Sequence, residues 1–202
     1  MMRLGRGLAV VACVVLGLSG VARADWQDDA AAAYARGDYQ TSLSILKPRA
    51  EQGFAAAQNN LGAMYEQGQG VAQDYKVAVK WYTLAAEQGD AWAQFNLGLM
   101  YAQGQGVAQD YKTATKWYTL ASEQGVADAQ FNLGLMYRKG QGVVQDYVKA
   151  HMWFNIAAID GSDKKAAPNR DAIAEKMTPA QIAQAQELAS KCVAQKFKNC
   201  GS

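Results

Sequence analysis

The sequence is poor in the residues that most catalytic chemistry needs. A single histidine, His151, stands among 202 residues, so no histidine-paired nucleophile or multi-histidine metal site can be assembled around a second one. The 3 cysteines, Cys13, Cys192 and Cys200, lack His or Cys neighbours at zinc spacing, and neither a metal nor another cofactor is expected. Charge is sparse and balanced, 20 Lys and Arg against 18 Asp and Glu, without a basic cluster. That excludes the counterion-releasing surface by which proteins hold nucleic acid. Beyond the N-terminus no apolar run approaches the ~18 residues of a membrane-spanning helix. Half of the residues are nevertheless apolar, enough for an ordinary folded core.

The first 24 residues have the pattern of a secretory leader. Arg3 and Arg6 precede the apolar stretch Leu8 to Val21, and Ala22-Arg23-Ala24 is a small-x-small cleavage site before Asp25. A rival lipidation box, Val10-Val11-Ala12-Cys13, would strand the apolar Val14 to Leu18 on the mature chain. Cleavage after Ala24 removes Arg3, Arg6 and Arg23 and leaves 17 basic against 18 acidic side chains, a net charge of −1. The expected product is a periplasmic or secreted monomer without membrane insertion. Cys192 and Cys200 then form an even pair in an oxidising compartment, where a disulfide is expected. Eight residues of continuous helix would hold their Cα atoms ~12 Å apart, so the helix must end between them.

Laid against itself at a period of 36 residues, the chain yields three units, 53–88, 89–124 and 125–160, the first two identical at 28 of 36 positions. Each carries Ala-Gln-x-Asn-Leu-Gly-x-Met-Tyr, then Gly-Gln-Gly-Val-x-Gln-Asp-Tyr, then Ala-x-x-Trp followed by Tyr or Phe. Internal repetition at this length is the signature of stacked helical arrays. In the second unit, Ala93, Leu97, Met100 and Tyr101 share one face of a helix predicted over 91–103, which Gly104 ends. A second helix follows Asp110, a capping residue. Gly98 is small enough for the two helices to approach closely, and Val107 can plug the loop between them.

These motifs resemble the Sel-one-like repeat, the longer relative of the tetratricopeptide repeat, strongly over 53–160. Leu61, Gly62, Tyr65, Gly68, Gly70, Asp74, Ala78, Trp81, Tyr82, Ala85 and Gly89 occupy the family's places. Residues 25–52 read as a shortened first unit, since Tyr34, Gly37, Tyr39 and Gly53 match Tyr65, Gly68, Tyr75 and Gly89 once five loop residues are removed. Residues 161–202 leave the motif and read as a two-helix cap, with Thr178-Pro179-Ala180-Gln181 as a helix start. The resemblance implies an all-α right-handed solenoid with a concave groove lined by the first helix of each unit. It also implies a non-catalytic scaffold that binds a protein or peptide, of the kind that serves as envelope adaptor, sensor regulator or assembly factor.

With Leu97 at zero and roughly 100° per residue, Trp92, Phe95, Leu99 and Ala102 lie opposite the core stripe, where a helix is normally polar. Four of the eight differences between the first two units fall there: Ala56/Trp92, Asn59/Phe95, Ala63/Leu99 and Glu66/Ala102. The third unit places Asp128, Phe131, Leu135 and Arg138 at the same sites. The candidate partner-binding groove is therefore Asn59, Glu66, Trp92, Phe95, Leu99, Asp128, Phe131, Leu135 and Arg138, with Trp92, Glu66 and Arg138 expected to be exposed. Phe95 and Phe131 are either anchors for a partner or padding against the next helices.

The alternative is a cell-wall or β-lactam hydrolase of the cysteine-rich repeat type, suggested by Ser44-Ile-Leu-Lys47 and Ser162-Asp-Lys-Lys165. The Ser-Asp-Asn and Lys-Thr-Gly partners of a Ser-x-x-Lys site are missing, and the three full units carry no cysteine. No catalytic residue is assigned.

Overall fold

The computed structural model describes residues 26–159, 164–198 and 200, and all regular structure among them is helical. The proposed leader, Cys13, Ser162 and Asp160 lie outside the described residues. A short N-terminal pair, α1 (26–35) and α2 (Tyr39–Glu51), is followed by three longer pairs. These are α3 (Ala55–Gln67) with α4 (Tyr75–Glu87), α5 (Ala91–Gln103) with α6 (Tyr111–Ser122), and α7 (Ala127–Lys139) with α8 (Tyr147–Ala157). Each helix packs on the next to form an α-solenoid, closed by α9 (Ala166–Ala174) and α10 (Pro179–Ala194), both against α8.

Local chemistry sets the helix ends. Asp74 and Asp110 accept from the free amides of the first turn, the Asp110 carboxylate from Lys112 at 2.9 Å and Thr113 at 3.2 Å. The first helix of each long pair stops at a left-handed glycine, Gly68, Gly104 or Gly140. Loop glutamines then satisfy its last carbonyls: Gln73, Gln109 and Gln145 donate to Glu66, Ala102 and Arg138 at 2.7, 2.8 and 2.8 Å. In α10 the Thr178 hydroxyl and the Gln181 side chain form a reciprocal capping box.

Within each long pair a ring lies on a glycine. A Cβ on Gly62, Gly98 or Gly134 would sit 2.8, 2.7 or 2.7 Å from the buried ring of Tyr82, Tyr118 or Phe154. Leu61, Met64, Leu97, Met100, Leu133 and Met136 complete the core along the same face.

Between pairs, two contacts fix the stacking. Gly106, at φ +72°, lies so close to the start of α4 that a Cβ would meet the Tyr75 carbonyl oxygen at 2.3 Å; Gly142 meets that of Tyr111 at 2.2 Å. A buried glutamine also reaches back from each first helix to the end of the preceding helix. Gln58, Gln94 and Gln130 donate to the Ala50, Ala86 and Ser122 carbonyls at 3.1, 3.2 and 3.3 Å. Gln88 and Gln124 donate to Gln58 and Gln94 in turn, at 2.7 and 2.8 Å. Three successive helices are thus joined by one chain of amides, in which Gln58, Gln94 and Gln130 are buried and Gln88 and Gln124 stand at its exposed edge.

His151 is buried in α8, its Nδ1 without a hydrogen-bond partner among the described residues. Burial first, then the Arg170 guanidinium, pushes its pKa below the ordinary value, with Asp171 opposing.

Two outcomes follow. Gly106→Ala combines a left-handed φ with a backbone clash and is expected to cost about 3 kcal/mol or more in urea unfolding. Gly53→Ala, with an equally positive φ but open space around it, should cost only about 1 kcal/mol. Equal losses would show that φ alone matters and that the inter-pair contact does not. For His151, the unfolded chain takes up the proton first, so stability is level above pH ~6.5 and falls below it, by up to about 1 kcal/mol between pH 7 and 5.5. His151→Val, the residue found at Val79, should flatten that window; an unchanged pH profile would acquit the imidazole.

Candidate functional site

The face opposite the core stripe of α3, α5 and α7 is built from residues of very different accessibility. Trp92 is 54% exposed in the first turn of α5 and meets the Phe95 ring edge-on, centroids 6.1 Å apart. Phe95 is half-buried, with its ring 6.1 Å from that of Tyr118. Leu99 is half-buried against the cluster that α6, α7 and α8 share. Asp128 is exposed at the start of α7, where a carboxylate complements the helix dipole.

Further along, the face closes. Phe131 packs on Phe154 at 5.5 Å, and Phe131 and Leu135 both join the cluster formed by Ile173, Met177 and Ala185 of the C-terminal region. Glu66 and Arg138, expected as exposed edges, are instead half-buried and internally bonded. The Tyr82 hydroxyl donates to the Glu66 carboxylate, and Arg138 donates to Asn169 at 2.7 Å. Burial, and then that carboxylate, drives the Tyr82 phenol far above its ordinary range, so it remains a donor. Asn59 is half-buried and accepts from Asn96 of α5 at 3.1 Å, a polar tie between neighbouring first helices.

At the N-terminal end a cavity of about 300 Å³ opens between α1, α2 and α3, with Ala30, Tyr34, Ser42, Leu46, Asn60 and Ala63 in its wall. Nothing in the stripe geometry of a lone helix points to it. Its signal lies in pairwise replacement: Leu46 stands where the longer pairs have Tyr82, Tyr118 and Phe154.

The Ser44 hydroxyl donates to the Thr41 carbonyl at 2.7 Å, within its own helix. No group of His, Cys, Asp and Glu among the described residues could hold a metal ion, and no helix among them is long and apolar enough to cross a membrane. Cys192 and Cys200 stand at disulfide distance, their Cα atoms 5.1 Å apart, because the chain leaves α10 at Gln195 and turns through left-handed Lys196 and Phe197.

The Sel1 repeat model matches residues 55–90, 93–126 and 127–162, more than half of the chain. A crystal structure of a protective antigen present in uropathogenic Escherichia coli strains, displaying an SLR fold, superposes with a TM-score of 0.74 at 38% identity. The match covers 79% of this chain and only 34% of the antigen. A Sel1 repeat protein from Oxalobacter formigenes superposes with a TM-score of 0.64 at 30% identity over 83% of this chain and 76% of its own. A search of the curated proteins finds no match. Sel1 repeats are commonly protein-interaction scaffolds, and three matched repeats together with the 30% identical Oxalobacter protein show that the chain belongs to the Sel1 repeat family.

Proposed function

We propose that this protein is a non-catalytic interaction scaffold of the bacterial cell envelope, exported by the leader over 1–24 and cleaved after Ala24. It works as a monomer that binds a peptide or protein along the first-helix face, with Trp92 as the principal anchor. The observation that carries this reading is the 54% exposure of Trp92 beside Phe95. A large ring standing in solvent, backed by a second ring, is the composition that dominates binding hot spots. Phe95, Leu99 and Asn59 supply its base, and Asp128 a polar edge. Phe131, Leu135, Glu66 and Arg138 serve the same site from beneath, by fixing the helices that present it.

Export and an oxidising compartment are supported by the leader pattern and by Cys192 and Cys200 at bonding distance. That a relative is a protective antigen accords with a location outside the cytoplasm. The chain's low charge of one sign and lack of a basic cluster fit a protein partner rather than nucleic acid.

Affinity capture from envelope extract, with mass-spectrometric identification, tests the anchor. Trp92→Ala should shift the thermal midpoint by less than about 2 °C, because the side chain is largely in solvent, and should lose a specific prey. An unchanged prey set in the folded variant removes Trp92 from the interface. For compartment, the intact mass of protein recovered from the envelope fraction should correspond to a chain beginning at Asp25 and lighter by two hydrogens. A chain retaining its N-terminus, with three alkylatable thiols including that of Cys13, would refute export.

A further inference from the structure

We propose that the cavity between α1, α2 and α3 is a phenol pocket, receiving a tyrosine side chain from an extended peptide bound on the first-helix face. The pocket stands on its own geometry; the peptide as source of the ring rests on the interaction role proposed above.

The argument uses the chain as its own template. In each long pair a ring lies over a first-helix glycine, Tyr82 on Gly62, Tyr118 on Gly98 and Phe154 on Gly134. With Tyr34 aligned to Tyr65 and Tyr39 to Tyr75, the N-terminal pair has Leu46 at the ring position and Ala31 at the glycine. Ala30 replaces Leu61, Leu97 and Leu133. Ala63, also in the wall, stands where the later pairs have Leu99 and Leu135. Ring and branched side chains are thus missing together, and the space they leave is the cavity of about 300 Å³. An apolar cavity of roughly half that volume already holds benzene.

Its polar groups define the ring's substituent. Ser42 is fully buried in the wall, and its Oγ has no hydrogen-bond partner among the described residues. Asn60 lines the cavity while remaining exposed, which places it at the mouth. The same position one pair after Tyr118 is Asn132, whose amide bonds the Tyr118 hydroxyl. Asn60 bears that relation to the N-terminal pair. A ring seated in the cavity in the pose of Tyr118 would therefore present its hydroxyl to Asn60. Tyr34, the remaining polar wall, is held by Gln67 and Gln69, so the pocket is shaped before any ligand arrives.

The test is an amide-resolved NMR titration of the ¹⁵N-labelled protein with p-cresol, with toluene, and with the blocked tripeptide acetyl-Ala-Tyr-Ala-amide. p-Cresol is expected to shift the amides of Ala30, Ala31, Ser42 and Asn60 saturably in the millimolar range, and toluene to bind about five-fold more weakly for want of one hydrogen bond. Asn60→Ala should bring the two probes to equal affinity. Leu46→Tyr supplies the ring in cis and should abolish the shifts with the thermal midpoint maintained; if that ring does not fit, Ala63→Leu closes the same space. Saturable shifts absent from α1 to α3, toluene equal to p-cresol in the wild type, or shifts persisting in a folded filled variant would each overturn the pocket. Tripeptide binding at least as tight as p-cresol supports a peptide source, and p-cresol binding without the tripeptide refutes it. Because Trp92 takes no part, lost capture selectivity at Trp92 and lost p-cresol binding are separate failures.

Discussion

The stack is held together by a contact in which backbone meets backbone. Gly106 lies on the Tyr75 carbonyl and Gly142 on that of Tyr111, at separations that admit no side chain. Loop and preceding helix therefore have one available spacing. The glutamine chain depends on it, since Gln58, Gln94 and Gln130 reach the end of the preceding helix only when neighbouring pairs stand at that distance. Those carbonyls also accept from the Gly53, Gly89 and Gly125 amides at 3.0 Å, so what the bond satisfies is the buried glutamine amide, which would cost about 1 to 3 kcal/mol if left unpaired. One set of contacts thus fixes geometry and satisfies polarity together.

Within a pair, the constraint is the glycine that accepts a ring. Gly62, Gly98 and Gly134 let two helices close on Tyr82, Tyr118 and Phe154, and a close-packed interior leaves little slack for other solutions. A pair that keeps the backbone plan and lacks the ring has two courses: collapse or retain space. The N-terminal pair is tied to the one that follows, Gln40 of α2 to the Gly70 carbonyl at 2.9 Å and Tyr34 of α1 to Gln67 of α3 at 3.2 Å. Those ties resist collapse, so the volume remains as a cavity.

Much of this was legible in the residues. Aspartate and glycine punctuation located α5 and α6, and Thr178 with Gln181 located the start of α10, because caps are local and need no knowledge of neighbours. The accessibility of the stripe was only partly legible. Angles on one helix place Phe95 and Trp92 on the same side, yet Trp92 stands largely in solvent while Phe95 falls on Tyr118. Glu66 and Arg138 looked like solvent edges because a carboxylate and a guanidinium usually are. Their partners, Tyr82 and Asn169, lie 16 and 31 residues away, beyond what helical periodicity can connect. The cavity needed a comparison of helix pairs, Leu46 with Tyr82, that a search for conspicuous residues passes over.

The two ends of the solenoid differ in a way that bears on where a partner can act. At the C-terminal end, α10 covers the second-helix face, so Ile156 is 3% exposed where its equivalents Leu84 and Leu120 are 45% and 43% exposed. The first-helix face is covered there too, by Ile173, Met177 and the Arg138–Asn169 bond. A terminal repeat left with apolar faces in water invites addition of further copies, and a cap removes that invitation. At the N-terminal end the pair formed by α1 and α2 keeps an unfilled volume against α3. Capping one end and leaving space at the other gives the solenoid a direction, and a partner lying along α1, α3 and α5 would meet cavity, amide tie and exposed ring in that order.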